Sequence, residues 1–459
     1  MNIRTPYPAL LAFLALTGCS MAPKYTTPAP PVPAAFPSAP ANAGTPAAEV
    51  GWKTFYADPR LQKVLELALA NNRDLRVAGL NIQKAGAYYR IQRAALLPTV
   101  NVGGSYYRGS GSANEVNLFP GITATVGVTA WELDFFGRIT SLKDEALQTY
   151  LATQEAQRSS QVSLLAQVAS GYLALAADQE ALRLAQDTVE SQQSSYDLIQ
   201  RSFLVGSGSE IDVRRAQVSL ESAQVDVASY TRTVALDRST LDFLVGASVP
   251  SEFLPESLSA LAPLNADFAV GTPSQALLRR PDILMAEDQL KAANADIGAA
   301  RAALFPSITL TTEAGTSGAS LDAMFRSGTR AWLIYPQINF PLFDWGARRA
   351  NLEVSKTQRE ILVAQYEKAI QTAFKEVRDA LVQRETLCQQ ETAQAALAEA
   401  TEATYRLAKA RFQAGMDSSL SVLDAQRTSL AAQQGLIALR QTEAGNLVSL
   451  YKALGGGVR

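Results

Sequence analysis

The chain contains the hexapeptide RAALLP at residues 93–98 and repeats it as RAALFP at residues 301–306. Working outward from this pair, matching residues recur in the same order at an offset of about 208 positions. They are Asp74 with Asp282, Leu133 with Leu342, Phe136-Gly137 with Trp345-Gly346, Tyr196 with Tyr405, Gly206 with Gly415, Ala216-Gln217 with Ala425-Gln426, and Gly246 with Gly455. We therefore expect that the chain consists of two tandem copies of one structural unit.

Composition excludes several classes of function. The 459 residues are 47% hydrophobic and 18% charged, and the net charge of -2 provides no basic surface for nucleic acid. The chain has no histidine, which removes the commonest general base and the commonest transition-metal ligand. We expect no catalytic residues, no metal and no cofactor other than a covalent lipid, although carboxylate or lysine chemistry stays formally open.

The amino terminus has the pattern of a bacterial secretory signal over residues 1–18, with Arg4 followed by an apolar stretch. Its end, Leu16-Thr17-Gly18-Cys19, resembles the lipobox of bacterial lipoproteins, in which the cysteine is lipidated and becomes the first mature residue. The alternative is a plain signal peptide with an incidental cysteine. By resemblance, Ser20 rather than aspartate after the cysteine implies sorting to the outer membrane, with the acyl chains as anchor.

Residues 19–58 form a lipidated segment rich in proline and alanine, which favours extended polyproline geometry. The segment is either a spacer or a strap lying along the body. The second cysteine, Cys388, is interpreted as a small buried hydrophobe.

Each predicted repeat consists of a helix, two strands, a very long helix and a shorter helix. The first helix is expected to end at Pro98 or Pro306, because proline stops helical propagation. The first repeat, 59–250, has predicted strands near 99–108 and 121–135 and helices at 138–205 and 209–246. After a linker at 251–277, the second repeat, 278–459, has strands near 307–316 and 331–342, helices at 346–414 and 417–454, and a tail.

The predicted strands alternate apolar and small polar residues, as in Ile122, Ala124, Val126, Val128 and Ala130. This pattern fits a membrane barrel, and it equally fits a half-buried soluble sheet. A proline in a central strand would remove one hydrogen bond of the sheet, so Pro336 does not suit such a position. Because no run beyond the signal approaches the roughly 18 apolar residues of a membrane helix, any membrane crossing is expected to be by strands.

The long helices contain almost no helix breakers. About 68 residues at 1.5 Å each make roughly 100 Å of helix, longer than a globular core. In the first long helix, residues spaced alternately four and three apart form a stripe from Val168 through Leu182, Gln186 and Gln193 to Tyr196. Its repeat indicates coiled-coil packing, and its polar members favour a wall with water on one side.

These features together resemble the TolC-type outer-membrane efflux proteins, especially their lipoprotein branch. The most specific stretches are LRRPDI at 278–283, RAALFP at 301–306, PLFDWG at 341–346, and ARF at 410–412 through Gly415 to LDAQR at 423–427. The resemblance implies an α+β membrane protein in the outer membrane, extending into the periplasm. It implies a homotrimer in which four strands per chain form a β-barrel, continued by a barrel of coiled-coil helices.

The function implied is a passive duct of a tripartite efflux system. It would carry drugs or other small molecules outward, working with a periplasmic adaptor and a proton-driven inner-membrane transporter. Two alternatives stay open: an exit duct for protein secretion, and a lipid-tethered periplasmic coiled-coil scaffold.

Family gate positions fall on Leu420, Asp424 and Arg427, whose spacing puts them on one helix face. Rings of these residues from three chains would close the periplasmic tips of the duct. The alternative is that Asp424 and Arg427 are only a solvated intrahelical pair. The predicted gate also includes Arg411, Asp417 and Arg215. The first repeat has Ile211, Arg215 and Val218 at the equivalent places, so the gate is expected to be unequal in its two halves.

Overall fold

The structure, a computed structural model, describes residues 20–33, 35–36, 45–107, 121–270 and 277–457. Cys19, the predicted lipidation site, lies outside these residues, as does part of the predicted linker. The principal helices and strands are, in chain order, α1 (Pro59–Asn71), α2 (Arg73–Ala94), β1 (Val100–Tyr107), β2 (Gly121–Glu132), α3 (Arg138–Leu204), α4 (Glu210–Val245), α5 (Pro281–Ala302), β3 (Ser307–Gly318), β4 (Arg330–Asn339), α6 (Ala347–Gln413) and α7 (Ser419–Ala453).

The observed boundaries lie within a few residues of the predicted ones. The helix at 138–205 runs Arg138–Leu204, and the helix at 346–414 runs Ala347–Gln413. Two details differ. The first predicted helix is divided at Asn72 into α1 and α2. In both repeats the helix before the sheet ends four residues short of its proline, at Ala94 and Ala302, because a short turn intervenes.

The chain divides into two compact units. We call Met1–Ala29, Asn81–Gln154 and Met285–Glu367 the sheet unit, and Pro30–Leu80, Glu155–Leu284 and Lys368–Arg459 the helical unit. Among the described residues, no helix combines the length and apolarity that a bilayer crossing requires.

The sheet unit contains one antiparallel sheet in the order β1-β2-β3-β4. The register places Val102 opposite Val126, Val126 opposite Ala314, and Ala314 opposite Trp332. These residues share one face because side chains alternate along each strand. The other face is polar, and there Ser105 and Thr123 are hydrogen-bonded at 2.6 Å. Pro336 lies in β4, the last strand of the sheet within this chain, where it is opposite Leu310 of β3.

A β-bulge in β2 interrupts the alternation that the sequence predicted. The pairing shifts between Val128, which lies opposite Thr312, and Trp131, which lies opposite Leu310. Ala130, predicted to continue the apolar face, instead has a left-handed backbone with φ 51°. The inserted residue therefore brings Trp131 onto the apolar face in its place.

Residues 20–27 form a strap along α5, which decides between the two interpretations of this segment. Asn294 of α5 donates from Nδ2 to the Pro23 carbonyl at 2.7 Å, and Arg301 donates to the Met21 carbonyl at 3.2 Å. At Gly298 any side chain would press on the Ala22 backbone, since an added Cβ would lie 2.8 Å from its nitrogen. A glycine is therefore required where the strap crosses the helix.

The helical unit has an aromatic core. Phe55 stacks on Tyr451 with ring centroids 3.9 Å apart, and Tyr56 packs edge-on against both. The Tyr451 hydroxyl donates to the Val50 carbonyl at 2.6 Å. Burial raises the pKa of both tyrosines above the ordinary value, so neither ionises in the physiological range.

The buried seam of α3 differs from the predicted stripe. Gln186 and Gln193 are exposed, whereas the buried residues are Ala181, Ala185, Thr188, Gln192 and Ile199. The seam is thus shifted by about one residue beyond Leu175, because small side chains allow closer helix packing. In α6 Leu387 is buried, and Cys388 beside it is exposed. The interpretation of Cys388 as a buried hydrophobe is therefore wrong.

Candidate functional site

The predicted gate residues lie near the turns that join the long and short helices, within the helical unit. Both turns end in the same way. Gly206 has φ 76° and Gly415 has φ 72°, conformations that favour glycine. The next residues, Ser207 and Met416, donate backbone hydrogen bonds at 2.9 Å to the carbonyls of Ser202 and Arg411. These bonds satisfy the last turns of α3 and α6.

Each short helix then begins with a serine cap. The Ser209 hydroxyl accepts from the Asp212 backbone nitrogen, and the Ser418 hydroxyl accepts from the Ser421 nitrogen, both at 3.3 Å. The two helix starts are also joined, since the Ser419 hydroxyl donates to Asp212 at 3.2 Å. The first turns of α4 and α7 are therefore neighbours.

A groove of about 530 Å³ lies between α4, α7 and a stretch of α3. We call it the tip groove. It is lined by Thr188 and Gln192 of α3; Ile211, Arg214, Arg215, Val218, Ser219, Ser222, Ala223 and Asp226 of α4; and Leu420, Leu423, Asp424, Gln426, Arg427 and Leu430 of α7. The structure thus brings Leu420, Asp424 and Arg427 to the same groove as Ile211, Arg215 and Val218.

The charged gate residues form an exposed pair within one helix. Arg427 donates to Asp424 at 2.6 Å, and their side chains are 80% and 61% exposed. Within a single chain this is the intrahelical alternative considered above. Such a pair stabilises the helix by only about 0.3–0.5 kcal/mol, so these residues contribute little to the fold.

The other predicted gate residues are distributed differently. Arg215 lines the tip groove and lies 3.9 Å from Asp212. Arg411 and Asp417 form an ion pair at 3.2 Å across the second turn and do not line the groove. Hydrogen bonds from the Ser421 hydroxyl, the Ser418 backbone nitrogen and Arg411 lower the pKa of Asp417, so this carboxylate stays charged in mild acid.

The floor of the groove contains two buried glutamines that the sequence did not place in a site. Gln192 and Gln426 are 6% and 5% exposed. Among the described residues, neither of their amide oxygens accepts a hydrogen bond. In the sequence they are two of several glutamines within apolar helical patterns. A glutamine in such a pattern therefore did not distinguish these two positions.

Comparison with known proteins agrees with this architecture. The sequence pattern of the family described as "Outer membrane efflux protein" matches residues 64–247 and 272–456. The chain belongs to the outer membrane efflux protein family. A relative from Pseudomonas putida, the "Probable efflux pump outer membrane protein TtgC", is 46% identical, and the match covers 98% of this chain and 94% of the relative.

Solved structures of membrane proteins share the fold. The crystal structure of a membrane protein from Pseudomonas aeruginosa has a TM-score of 0.90 at 38% identity, covering 96% of this chain and 98% of that one. The open state of the Neisseria gonorrhoeae MtrE outer membrane channel has a TM-score of 0.88 at 36% identity, covering 96% and 99%. This efflux protein is accordingly an outer-membrane channel component of a tripartite efflux system, and its family consists of transport ducts.

Proposed function

We propose that this efflux protein is a homotrimeric, lipid-anchored, passive duct with a gate at its helix tips. It carries drugs or other small molecules from a periplasmic adaptor and a proton-driven inner-membrane transporter to the exterior. The tip groove carries the proposal, because it gathers the gate residues of α7 and their counterparts in α4. The chain supplies walls and a constriction, and the transporter supplies energy and direction.

The proposal includes an internal duplication of the chain. The helices α2 and α5 have 22 residues each, and α3 and α6 have 67 each. Left-handed glycines follow in pairs at Gly137 and Gly346, Gly206 and Gly415, and Gly246 and Gly455. The family pattern also matches two successive segments of similar length. These observations support two copies of one unit in tandem.

The edges of the sheet support an oligomer, and the family resemblance supports a trimer. Four strands in the order β1-β2-β3-β4 leave β1 and β4 each with one unpaired edge within the chain. A lipid-exposed edge is unacceptable inside a bilayer, because its backbone groups have no water to bind. Three chains joined edge to edge would give a closed barrel of twelve strands, with the apolar face toward lipid.

The lipid anchor is proposed at Cys19. The support is the stretch Leu16-Thr17-Gly18-Cys19, which resembles the lipobox of bacterial lipoproteins. Mass spectrometry of the mature amino-terminal peptide tests this anchor, and an unmodified cysteine would refute it.

The gate is tested by ion conductance in planar bilayers. The wild-type protein is expected to conduct weakly. Asp424→Ala is expected to raise the conductance, because it removes the carboxylate that Arg427 of a neighbouring chain can bind in the closed ring. The matched control is Asp379→Ala, which breaks a similar exposed pair within α6, Lys375–Asp379 at 2.6 Å, neither member of which lines the groove.

The control is expected to conduct like the wild type. Large conductance unchanged by Asp424→Ala would refute the assignment of the gate. Absence of conductance in every variant would contradict the duct itself.

A further inference from the structure

The connection between β3 and β4, residues 319–329, is a compact turn held by its own hydrogen bonds. We call it the β3–β4 turn. The Met324 nitrogen donates to the Ser320 carbonyl at 3.2 Å. The hydroxyls of Thr316 and Thr329 both donate to the Met324 carbonyl, at 2.5 and 2.7 Å. The Met324 side chain is buried, so the turn has a defined shape and a defined direction.

The β3–β4 turn folds over the apolar face of the sheet. Thr316 is on the same face as Ala314, because residues two apart in a strand point the same way. Gly318 follows at the same spacing, and a Cβ added there would lie 2.6 Å from the Met324 nitrogen. A glycine is therefore required where the turn crosses this face. The turn lies on the face that the proposed duct directs toward lipid.

The β3–β4 turn presents two large apolar side chains outward. Leu321 is 66% exposed and Phe325 is 83% exposed. They are four residues apart across one helical turn, a spacing that places side chains next to each other. Met324, which lies between them in the sequence, is the residue that packs inward. An exposed apolar pair on a turn of fixed shape indicates contact with another molecule.

Two arginines border this apolar pair. Arg330 begins β4 opposite Thr316, so it lies on the apolar face, two residues before Trp332. Among the residues that the structure describes, Arg330 has no ion-pair partner. Arg326 is exposed and donates to Asp322 at 3.0 Å, which leaves other guanidinium donors free. Guanidinium groups bind phosphate by paired hydrogen bonds.

The β3–β4 turn lies at the end of the sheet away from the helices. The strand β3 begins at Ser307, just after α5, and ends at Gly318, and β4 runs back to Asn339, just before α6. Strands of roughly 9–11 residues cross a bilayer when tilted, and β3 has 12. In the proposed duct the turn therefore lies at the outer surface of the bilayer.

We propose that the β3–β4 turn binds lipid: Leu321 and Phe325 insert between acyl chains, and Arg326 and Arg330 bind the headgroup phosphates. The occupant is a lipid because an apolar pair bordered by cations is complementary to acyl chains beneath an anionic group. The turn also lies on the face of the sheet that carries exposed Trp332, and aromatic side chains favour the bilayer surface. The proposal rests on the duct proposed above and adds a specific lipid contact at its outer rim.

The insertion of Phe325 is tested by fluorescence in phosphatidylcholine vesicles. Full-length Phe325→Cys is made in a Cys388→Ser background, since Cys388 is exposed. It is labelled with a thiol-reactive nitrobenzoxadiazole dye, and the background protein gives the unspecific labelling. A lipid with a nitroxide near its headgroup is expected to quench the dye strongly, and acrylamide in the water only weakly. The matched control is Ser317→Cys, also exposed at the end of β3 but on the polar face, whose dye should respond in the opposite way.

A third labelled variant, Trp332→Cys, separates the possible failures, because it reports whether the apolar face of the sheet meets lipid. Quenching by the nitroxide lipid at 332 but not at 325 overturns the lipid contact of the turn while the proposed duct stands. Equal quenching of the dyes at 325 and 317 also overturns it, because the turn would then not select the apolar face. Absence of quenching at 332 overturns both the lipid contact and the membrane barrel of the proposed function.

The phosphate contact is tested by thermal unfolding in detergent with added dioleoylphosphatidate or dioleoylglycerol, which has the same acyl chains but no phosphate. The wild type is expected to unfold at a higher temperature with phosphatidate, because a ligand that binds only the folded state stabilises it. Arg330→Gln should reduce this difference, and the double variant with Arg326→Gln should abolish it. Arg406→Gln, which removes an exposed arginine of the helical unit, is the control and should keep it. An equal response of the wild type to both lipids, or an unchanged difference in the double variant, would overturn the phosphate contact.

Discussion

Asn72 and Arg280 hold equivalent places in the two halves of the chain and fasten equivalent helix ends with different chemistry. The Asn72 amide donates to the Leu244 carbonyl, in the last turn of α4, at 2.8 Å. The Arg280 guanidinium donates to the Ala453 carbonyl, in the last turn of α7, also at 2.8 Å. In both halves a short helix is therefore tied back to the start of the helix that leads to the sheet.

The two contacts differ in the cost of burial. Asn72 is neutral, and its side-chain oxygen also caps α2 by accepting from the Leu75 nitrogen at 2.9 Å. Arg280 is a buried cation that binds Asp282 at 2.7 Å and Glu376 at 2.8 Å. Burial by itself lowers the pKa of Arg280, but its bonds to the two carboxylates raise it overall, so the cation stays charged. The same hydrogen bond to a carbonyl at the end of a short helix is thus made by a neutral amide in one half and by a guanidinium with two counterions in the other.

Of the changes to these contacts, Arg280→Ala is expected to lower the free energy of unfolding the most. It leaves two carboxylates without their cation and one carbonyl without a donor, so the free energy of unfolding should fall by about 3–5 kcal/mol. Circular dichroism of the detergent-solubilised protein during denaturation measures it. The control is Arg279→Ala, which removes an exposed pair with Glu49 and should cost less than about 1 kcal/mol. Equal losses would contradict the special role of Arg280.

Asn72→Ala should have a smaller effect. It removes one buried hydrogen bond and one helix cap, which together stabilise by about 1–3 kcal/mol, and it leaves no charge unpaired. The same denaturation experiment measures the change. A loss as large as that of Arg280→Ala would show that the carbonyl contact, and not the charge network, determines the stability of both ends.

Asp237→Asn tests a second pair of equivalent positions, Asp237 in α4 and Asn446 in α7. Burial, with the hydrogen bond and charge of Asp178, raises the pKa of Asp237 to about 6. Because the folded protein holds this proton more tightly, the resulting stabilisation is present below about pH 4 and is lost as the pH rises to about 6. In the other half, Asn446 donates to Gln383 at 2.9 Å without titrating.

The variant should therefore be more stable at pH 7, by on the order of 1 kcal/mol after solvent screening. It should also lose the pH dependence between about 4 and 6 that the wild type has. Unfolding midpoints across this range provide the measurement. Parallel pH curves for the two proteins would show that folding does not raise the pKa of Asp237.

Most of the elements could be predicted from the sequence, because local residues determine them. The 67-residue helices follow from long stretches almost free of glycine and proline, and the strands follow from period-two alternation. Leu420, Asp424 and Arg427 were predicted as gate positions through the family resemblance, and they line the tip groove. Their counterparts Ile211, Arg215 and Val218 were also named from the repeat, but the groove that joins the two sets, with the buried Gln192 and Gln426 in it, was not predicted, because these residues meet only after distant helices have packed.

Local spacing and matching motifs in the sequence were therefore enough to predict the order of helices and strands and the family, and the same motifs support the proposed duplication. The tertiary structure alone decided the phase of the α3 seam, the exposure of Cys388, the bulge at Ala130 and the strap along α5. A four-and-three pattern fixes the period of a helix seam but not which of two adjacent stripes is buried. That choice depends on how closely the facing backbones approach, and only residues far apart in the chain set that distance.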